Sequence, residues 1–268
     1  MALVETDLRS GVLTVTLADE ANRNALGAAL VGELVDALDR ADTDPGVRVV
    51  VLTNRGRVFC AGADLAGRGG SSVPPLPGHR PEELFARFRR SPKPYVGRIA
   101  GHCVAGGMGL AAAMDISVAA ESARFGFTEV RIGVAPAMIS VVCLPKLRDA
   151  DARSAILRGN RFGAAEAARI GLVTSAVPDD RLDEEVDAVV ADLLAGGPEA
   201  IAASKELLAR VPGMAVDEAF AWTAELSARL FAGDEAREGI TAYLEKRPAT
   251  WVPAGGTGSA HPQTPPAG

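Results

Sequence analysis

The segment YVGRIAGHCVAGGMGLAAAMD, Tyr95–Asp115, decides the fold. It starts as a short strand, bends at small residues, and runs into a helix that begins near Gly106. A bend of this kind turns main-chain N–H groups outward, and the helix start adds the positive end of its dipole. Small side chains there let a ligand reach the backbone itself.

A second segment, VVVLTNRGRVFCAGADL (Val49–Leu65), has the same plan and ends in Cys60-Ala61-Gly62-Ala63-Asp64. Its apolar run reads as a strand buried on both faces, as in a parallel sheet under helices. Two outward N–H donors converging on one point form an oxyanion hole.

Working outward, LVETDLRSGVLTVTLAD predicts two strands around a turn at Ser10-Gly11. Leu26, Leu30, Leu34 and Leu38, widened by Val31 and Val35, predict an amphipathic helix. GRGGSSVPPLPGHRP (67–81) reads as a flexible loop bordering the site. DISVAAESARFGF gives further short strands, and helices dominate from about Pro136. PEAIAASKELLAR opens on a helix-starting proline, and AVDEAFAWTAELSARLFAGD and EAREGITAYLEKR are amphipathic. No repeat is evident in the sequence. The expected division is a core over 1–195, a helical region over 196–250, and a disordered tail over 251–268.

At 48% hydrophobic residues, the 268-residue chain can bury a large core. A net charge of −6 argues against nucleic acid as a partner. Cys60, Cys103 and Cys143 lack metal-like spacing and read as small buried side chains, and His79, His102 and His261 are scattered, so no metal site is expected. No apolar run is long enough to span a bilayer, and the N-terminus has no signal pattern, so no membrane partner and a cytoplasmic location are expected.

NRNALG, the two segments above, the continuation GHCVAGGMGLAAAMDISVAAESARFGFTEVRIGVAP, GNRFGAAEAARIGLVTSAVP and EAREGITAYLEKR together resemble the crotonase superfamily, the enoyl-CoA hydratase/isomerase family, over about Val4 to Arg247. The resemblance implies an α/β crotonase-like fold: a repeated ββα superhelical core with a C-terminal helical region. It implies homotrimers or homohexamers acting on an acyl-CoA thioester, in fatty acid metabolism, with no separate cofactor because coenzyme A is part of the substrate. It places the oxyanion-hole N–H groups at Ala63 and Gly106.

In typical hydratases of this family two glutamates share the work. The second aligns with Glu129, in FTEVRIG; the first aligns with Gly109 and is absent. One carboxylate in an apolar surround can still act as base or acid. The resemblance thus implies enoyl-CoA hydration, with three alternatives: Δ3-Δ2 isomerisation through Glu129, decarboxylation of a malonyl-type thioester, or CoA binding without catalysis. A hydratase branch acting on short or branched acyl groups, methylglutaconyl-like ones included, carries the same glycine. Without the family, Glu129 reads equally as half of a surface ion pair with Arg131. Asp64 reads as a helix cap and Asp115 as a structural residue at a strand start. Ala137 and Met138 replace glycines common in the family, which predicts a tighter, more apolar wall. For coenzyme A, the resemblance points to Arg23, Ala61, Ala63 and Lys246, with Arg247 beside it. Arg23, Lys246 and Arg247 read equally as solvated charges.

Overall fold

The structure, a computed structural model, describes residues 2–65 and 81–253, with the main chain alone at 81 and 82. Of the predicted loop at 67–81, residues 67–80 therefore lie outside the described residues and Pro81 instead opens a helix; residues from 254 onward also lie outside them.

Strands β1 (Val4–Arg9) and β2 (Val12–Leu17) form the predicted hairpin. Helix α1 (Ala28–Thr43) buries Leu30, Val31, Leu34, Val35 and Leu38 as the periodicity requires. Leu26 departs from the predicted helical stripe. It precedes α1 and forms a parallel bridge to Ala63, with its N–H donating to Gly62 O at 2.7 Å. The bridge takes the Leu26 backbone out of helical geometry before α1 begins.

Three ββα turns follow. The first is β3 (Val49–Asn54), β4 (Val58–Cys60) and α2 (Pro81–Arg90). The second is β5 (Tyr95–Ile99), β6 (His102–Val104) and α3 (Gly106–Ala113). The third is β7 (Ile116–Ala120), β8 (Arg124–Gly126) and, after a 3-10 turn at Glu129–Ile132, α4 (Ala137–Cys143). In each turn the first strand joins one sheet and the second strand another. Thus β3, β5 and β7 run parallel in a large sheet whose order begins β1-β2-β3-β5-β7, while β4, β6 and β8 run parallel in a smaller sheet. Every residue of β3 is buried, as its unbroken apolar run predicts.

The chain then continues through α5 (Asp149–Arg158), β9 (Phe162–Gly163), α6 (Ala164–Arg169), β10 (Ser175–Val177) and α7 (Leu182–Ala195). Strand β9 closes the small sheet against β8, and β10 extends the large sheet beside β7. The main core lies between the sheets and α1–α4, and a second cluster packs Leu182, Val186 and Val190 of α7 on the other face of the large sheet.

Helices α8 (Pro198–Arg210), α9 (Val216–Ala232) and α10 (Asp234–Glu245) complete the described chain. Lys205 of α8 is buried and donates to Asp115 Oδ2 at 2.6 Å, Phe88 O at 3.0 Å and Lys93 O at 2.7 Å. Asp115 also accepts the Tyr95 N–H at 2.7 Å, so its role at the strand start is structural, as expected. Residues 251–253, expected to belong to the tail, are among the described residues. Trp251 Nε1 donates to Ala195 O at 3.0 Å, and its carbonyl accepts from Arg48 at 2.9 Å.

Candidate active site

Two strand ends of the small sheet build the site. At the end of β4, Gly62 has φ +86°, and a Cβ there would stand 2.7 Å from Ala105 Cβ and 2.8 Å from Gly106 N. Only glycine fits, and its absence of side chain lets the segment carrying Ala63 close onto the start of α3. Across from it, Ala105 holds φ 48° immediately before Gly106. A non-glycine residue in that region is strained, a feature that clusters at functional sites. Among the described residues, neither the Ala63 N–H nor the Gly106 N–H donates to a backbone carbonyl. At Gly106 this follows from helix geometry, since the first N–H groups of a helix have no partner within it.

The loop before α1 is held against the same place by Asn24, which sequence reasoning missed. Asn24 is buried with φ 51°, and its Nδ2 donates to Val58 O at 2.8 Å. This fixes Arg23, whose carbonyl accepts the Ala61 N–H at 3.1 Å. The signal was present: Asn is among the few residues that tolerate the left-handed region.

Ala63, Gly106 and Glu129 all line one cavity of about 900 Å³, with Ala61, Asp64, Phe85, Met138 and Ile139 among its other walls. Glu129 begins the 3-10 turn after β8, and its buried Oε2 has no hydrogen-bond partner among the described residues. Burial holds its carboxyl above the usual carboxylate range, partly offset by its own main-chain N–H. The ion-pair alternative fails: Arg131 instead donates to Gly159 O at 2.6 Å and Arg158 O at 3.3 Å. That contact fixes the turn bearing Glu129 against the end of α5.

Gly109 is buried, and the room beside it is taken. A Cβ there would stand 2.5 Å from Ile139 Cγ2 and 2.8 Å from Phe85 Cε1. Ala137 and Met138 lie on the cavity wall beside Ile139, so the expected apolar wall is present. Helix α2 is held in place to supply Phe85 by Arg87, which donates to Asp42 at 3.0 Å and to Asp39. Asp64 sits against Gly27, with Oδ2 3.2 Å from where a Cβ would be, while the helix it was expected to cap falls outside the described residues.

The coenzyme A candidates divide. Ala61 and Ala63 are on the cavity wall, and Arg23 adjoins it through Ala61. Lys246, with φ 55°, caps α10 and is not among the residues lining the cavity. Arg247 pairs with Glu238 and Glu245, each at 2.7 Å. Cys60, Cys103 and Cys143 are all buried, and burial pushes the Cys60 and Cys143 thiols up to about 12. Among the described residues no group of three or more His, Cys, Asp or Glu side chains is placed to hold a metal ion, and no helix is long and apolar enough to cross a membrane.

A family model described as enoyl-CoA hydratase/isomerase matches residues 7–253. The chain is 34% identical to an enoyl-CoA hydratase of Mycobacterium tuberculosis, with 92% of this chain and 94% of that protein covered. It is 32% identical to the 2,3-dehydroadipyl-CoA hydratase of Escherichia coli, over 88% of this chain and 93% of that one. The crystal structure of an enoyl-CoA hydratase from Mycobacterium smegmatis superposes with a TM-score of 0.88 at 30% identity, covering 94% of this chain and 99% of the other.

Proposed function

We propose, from the premise that the chain belongs to the enoyl-CoA hydratase/isomerase family, that it is a lyase adding water across the C2=C3 bond of a 2-enoyl-CoA thioester. The observation that carries this reading is the meeting, on one cavity, of two unengaged main-chain donors and one buried, unpartnered carboxyl oxygen. In this reading the Ala63 and Gly106 N–H groups hold the thioester oxygen. Addition at C3 pushes charge onto that oxygen, and the two donors bind it more strongly as the enolate forms than in the ground state. Glu129 takes the proton from the attacking water and, once protonated, returns one to C2. A raised carboxyl pKa suits both steps, because it brings acid and base forms closer in free energy near neutral pH.

The occupied space at Gly109 favours a second reading. With no second carboxylate in that room, Glu129 alone carries a proton between C4 and C2, which is Δ3-Δ2 isomerisation. Incubating the purified protein with 2-enoyl- and 3-enoyl-CoA thioesters separates them: a 3-hydroxyacyl product supports hydration, and double-bond migration alone overturns it.

Coenzyme A in this reading runs past Ala61 and Arg23, with Lys246 supplied to the phosphates of a neighbouring subunit. The neighbour enters because α9 and α10 leave Val216, Phe220, Phe231, Tyr243 and Leu244 exposed. Apolar faces of that extent mark subunit contacts, consistent with a homotrimer or a pair of trimers. A reducing compartment such as the cytoplasm suits the three buried thiols.

A further inference from the structure

We propose that Phe85 and Ile139 set the acyl specificity, selecting a purely hydrocarbon chain against one that ends in a carboxylate. With the thioester oxygen seated between Ala63 and Gly106 — the placement of the hydratase reading, on which this assignment rests — the acyl carbons face the first turn of α3. Gly109 lies three residues beyond Gly106, about 4.5 Å along the helix. There the side-chain room is filled by Ile139 Cγ2 and the Phe85 ring edge, both buried and both on the cavity wall. Met138 and Ile132 continue the same apolar surface.

Among the described residues, the charged groups on this wall do not offset the burial of a second carboxylate. Glu129 and Asp64 are themselves acids. Arg131 turns its guanidinium back onto the Gly159 and Arg158 carbonyls. Arg161 is exposed and stands by the Gly126 edge, where its Cα is 3.4 Å from a Cβ at 126. A carboxylate pressed against Phe85 and Ile139 therefore loses water and, among the described residues, gains no cation to pair with, which is expensive. A methyl or methylene group in the same place gains transfer free energy.

The test compares hexanoyl-CoA with the adipic acid monothioester of coenzyme A by calorimetry, and the matching 2-enoyl thioesters by kcat/KM. The wild-type protein favours the hydrocarbon chain by on the order of 100-fold. Ile139→Ala and the gentler Phe85→Leu shift relative kcat/KM toward β-branched chains by about 10-fold, whereas a purely structural role would lower all substrates alike. Equal or tighter binding of the carboxylated chain overturns the assignment, and loss of that binding in Arg161→Met would move the chain end to Arg161. A preserved binding ratio without turnover would sink the hydratase reading alone; turnover without the ratio would sink this one alone.

Discussion

Glu129 keeps an uncompensated oxygen in a buried place, and that arrangement costs the fold something. Its carboxyl sits above the ordinary carboxylate range because burial disfavours the charged form. As pH rises from the ordinary value to the raised one, the unfolded chain releases this proton first. Stability from this group therefore falls through that window and stays lower above it. Glu129→Gln should remove that loss: its melting temperature should exceed that of wild type at pH 7, and the gap should close below the ordinary carboxylate value. The same variant should lose hydration by about 100- to 10,000-fold, and the wild-type acid limb in kcat/KM should lie higher than an exposed glutamate would place it. An unchanged rate in the variant would remove Glu129 from the chemistry. Gly109 makes the opposite point, since there the side chain is excluded by its neighbours. Gly109→Ala forces a Cβ to 2.5 Å from Ile139 Cγ2 and should cost about 1–3 kcal/mol in urea unfolding. Adding Ile139→Ala should show coupling by recovering part of that loss. Single residues were only partly legible in the sequence. The positions of Ala63, Gly106 and Glu129 could be aligned, but what fills the room at Gly109 depends on Phe85 and Ile139. Those two come from helices 24 and 30 residues away in either direction, and no local pattern ties them together.

At the scale of elements, strands and helices followed from periodicity because their burial is periodic. The hairpin of β1 and β2, the fully buried β3 and the stripe of α1 all match their apolar spacing. Leu26 broke the pattern because a bridge to Ala63 took its backbone before the helix could. How α8 is tied to the core was not legible, because the tie is a lysine on an otherwise ordinary amphipathic helix. Lys205 reaches Asp115 at the start of β7 and the carbonyl of Phe88 in α2, the helix that carries Phe85. Lys205 is buried while Asp115 is partly open to water, so removing the lysine leaves a carboxylate that solvent can still reach and three acceptors without their shared donor. Lys205→Met should cost about 1–3 kcal/mol in denaturant unfolding. Asp115→Asn in the same chain should recover part of this, since the amide oxygen still accepts from Tyr95 N–H. Because α2 loosens as well, Lys205→Met should raise KM for the thioester more than it lowers kcat. A stability within measurement error of wild type would show that the pair contributes only geometry.

At the scale of the molecule, the repeated ββα core followed from the family resemblance, whereas no internal repeat shows in the sequence because the likeness of the turns is topological. Each turn contributes one strand to each sheet. The outer helices raise the question of what completes the assembly. Phe220 is 72% exposed and Tyr243 83% exposed, and they lie on successive helices α9 and α10 with Leu244 beside them. Leaving this surface in water forgoes the transfer free energy of several large side chains, and a second copy of the chain is the partner always present at matching concentration. In the homo-oligomer proposed above, Phe220→Glu with Tyr243→Glu should therefore give a monomer in sedimentation where the wild type sediments as the larger species, with the helical signal kept. If Lys246 serves the phosphates of a neighbouring subunit, this monomer should also bind coenzyme A thioesters about 10-fold more weakly, a loss at the lower end of what one hydrogen bond to a charged group contributes. Lys246→Ala should reproduce the weaker binding while leaving the oligomer intact. A monomeric variant with unaltered affinity would assign the whole coenzyme A site to a single chain and leave the exposed face a purely structural contact.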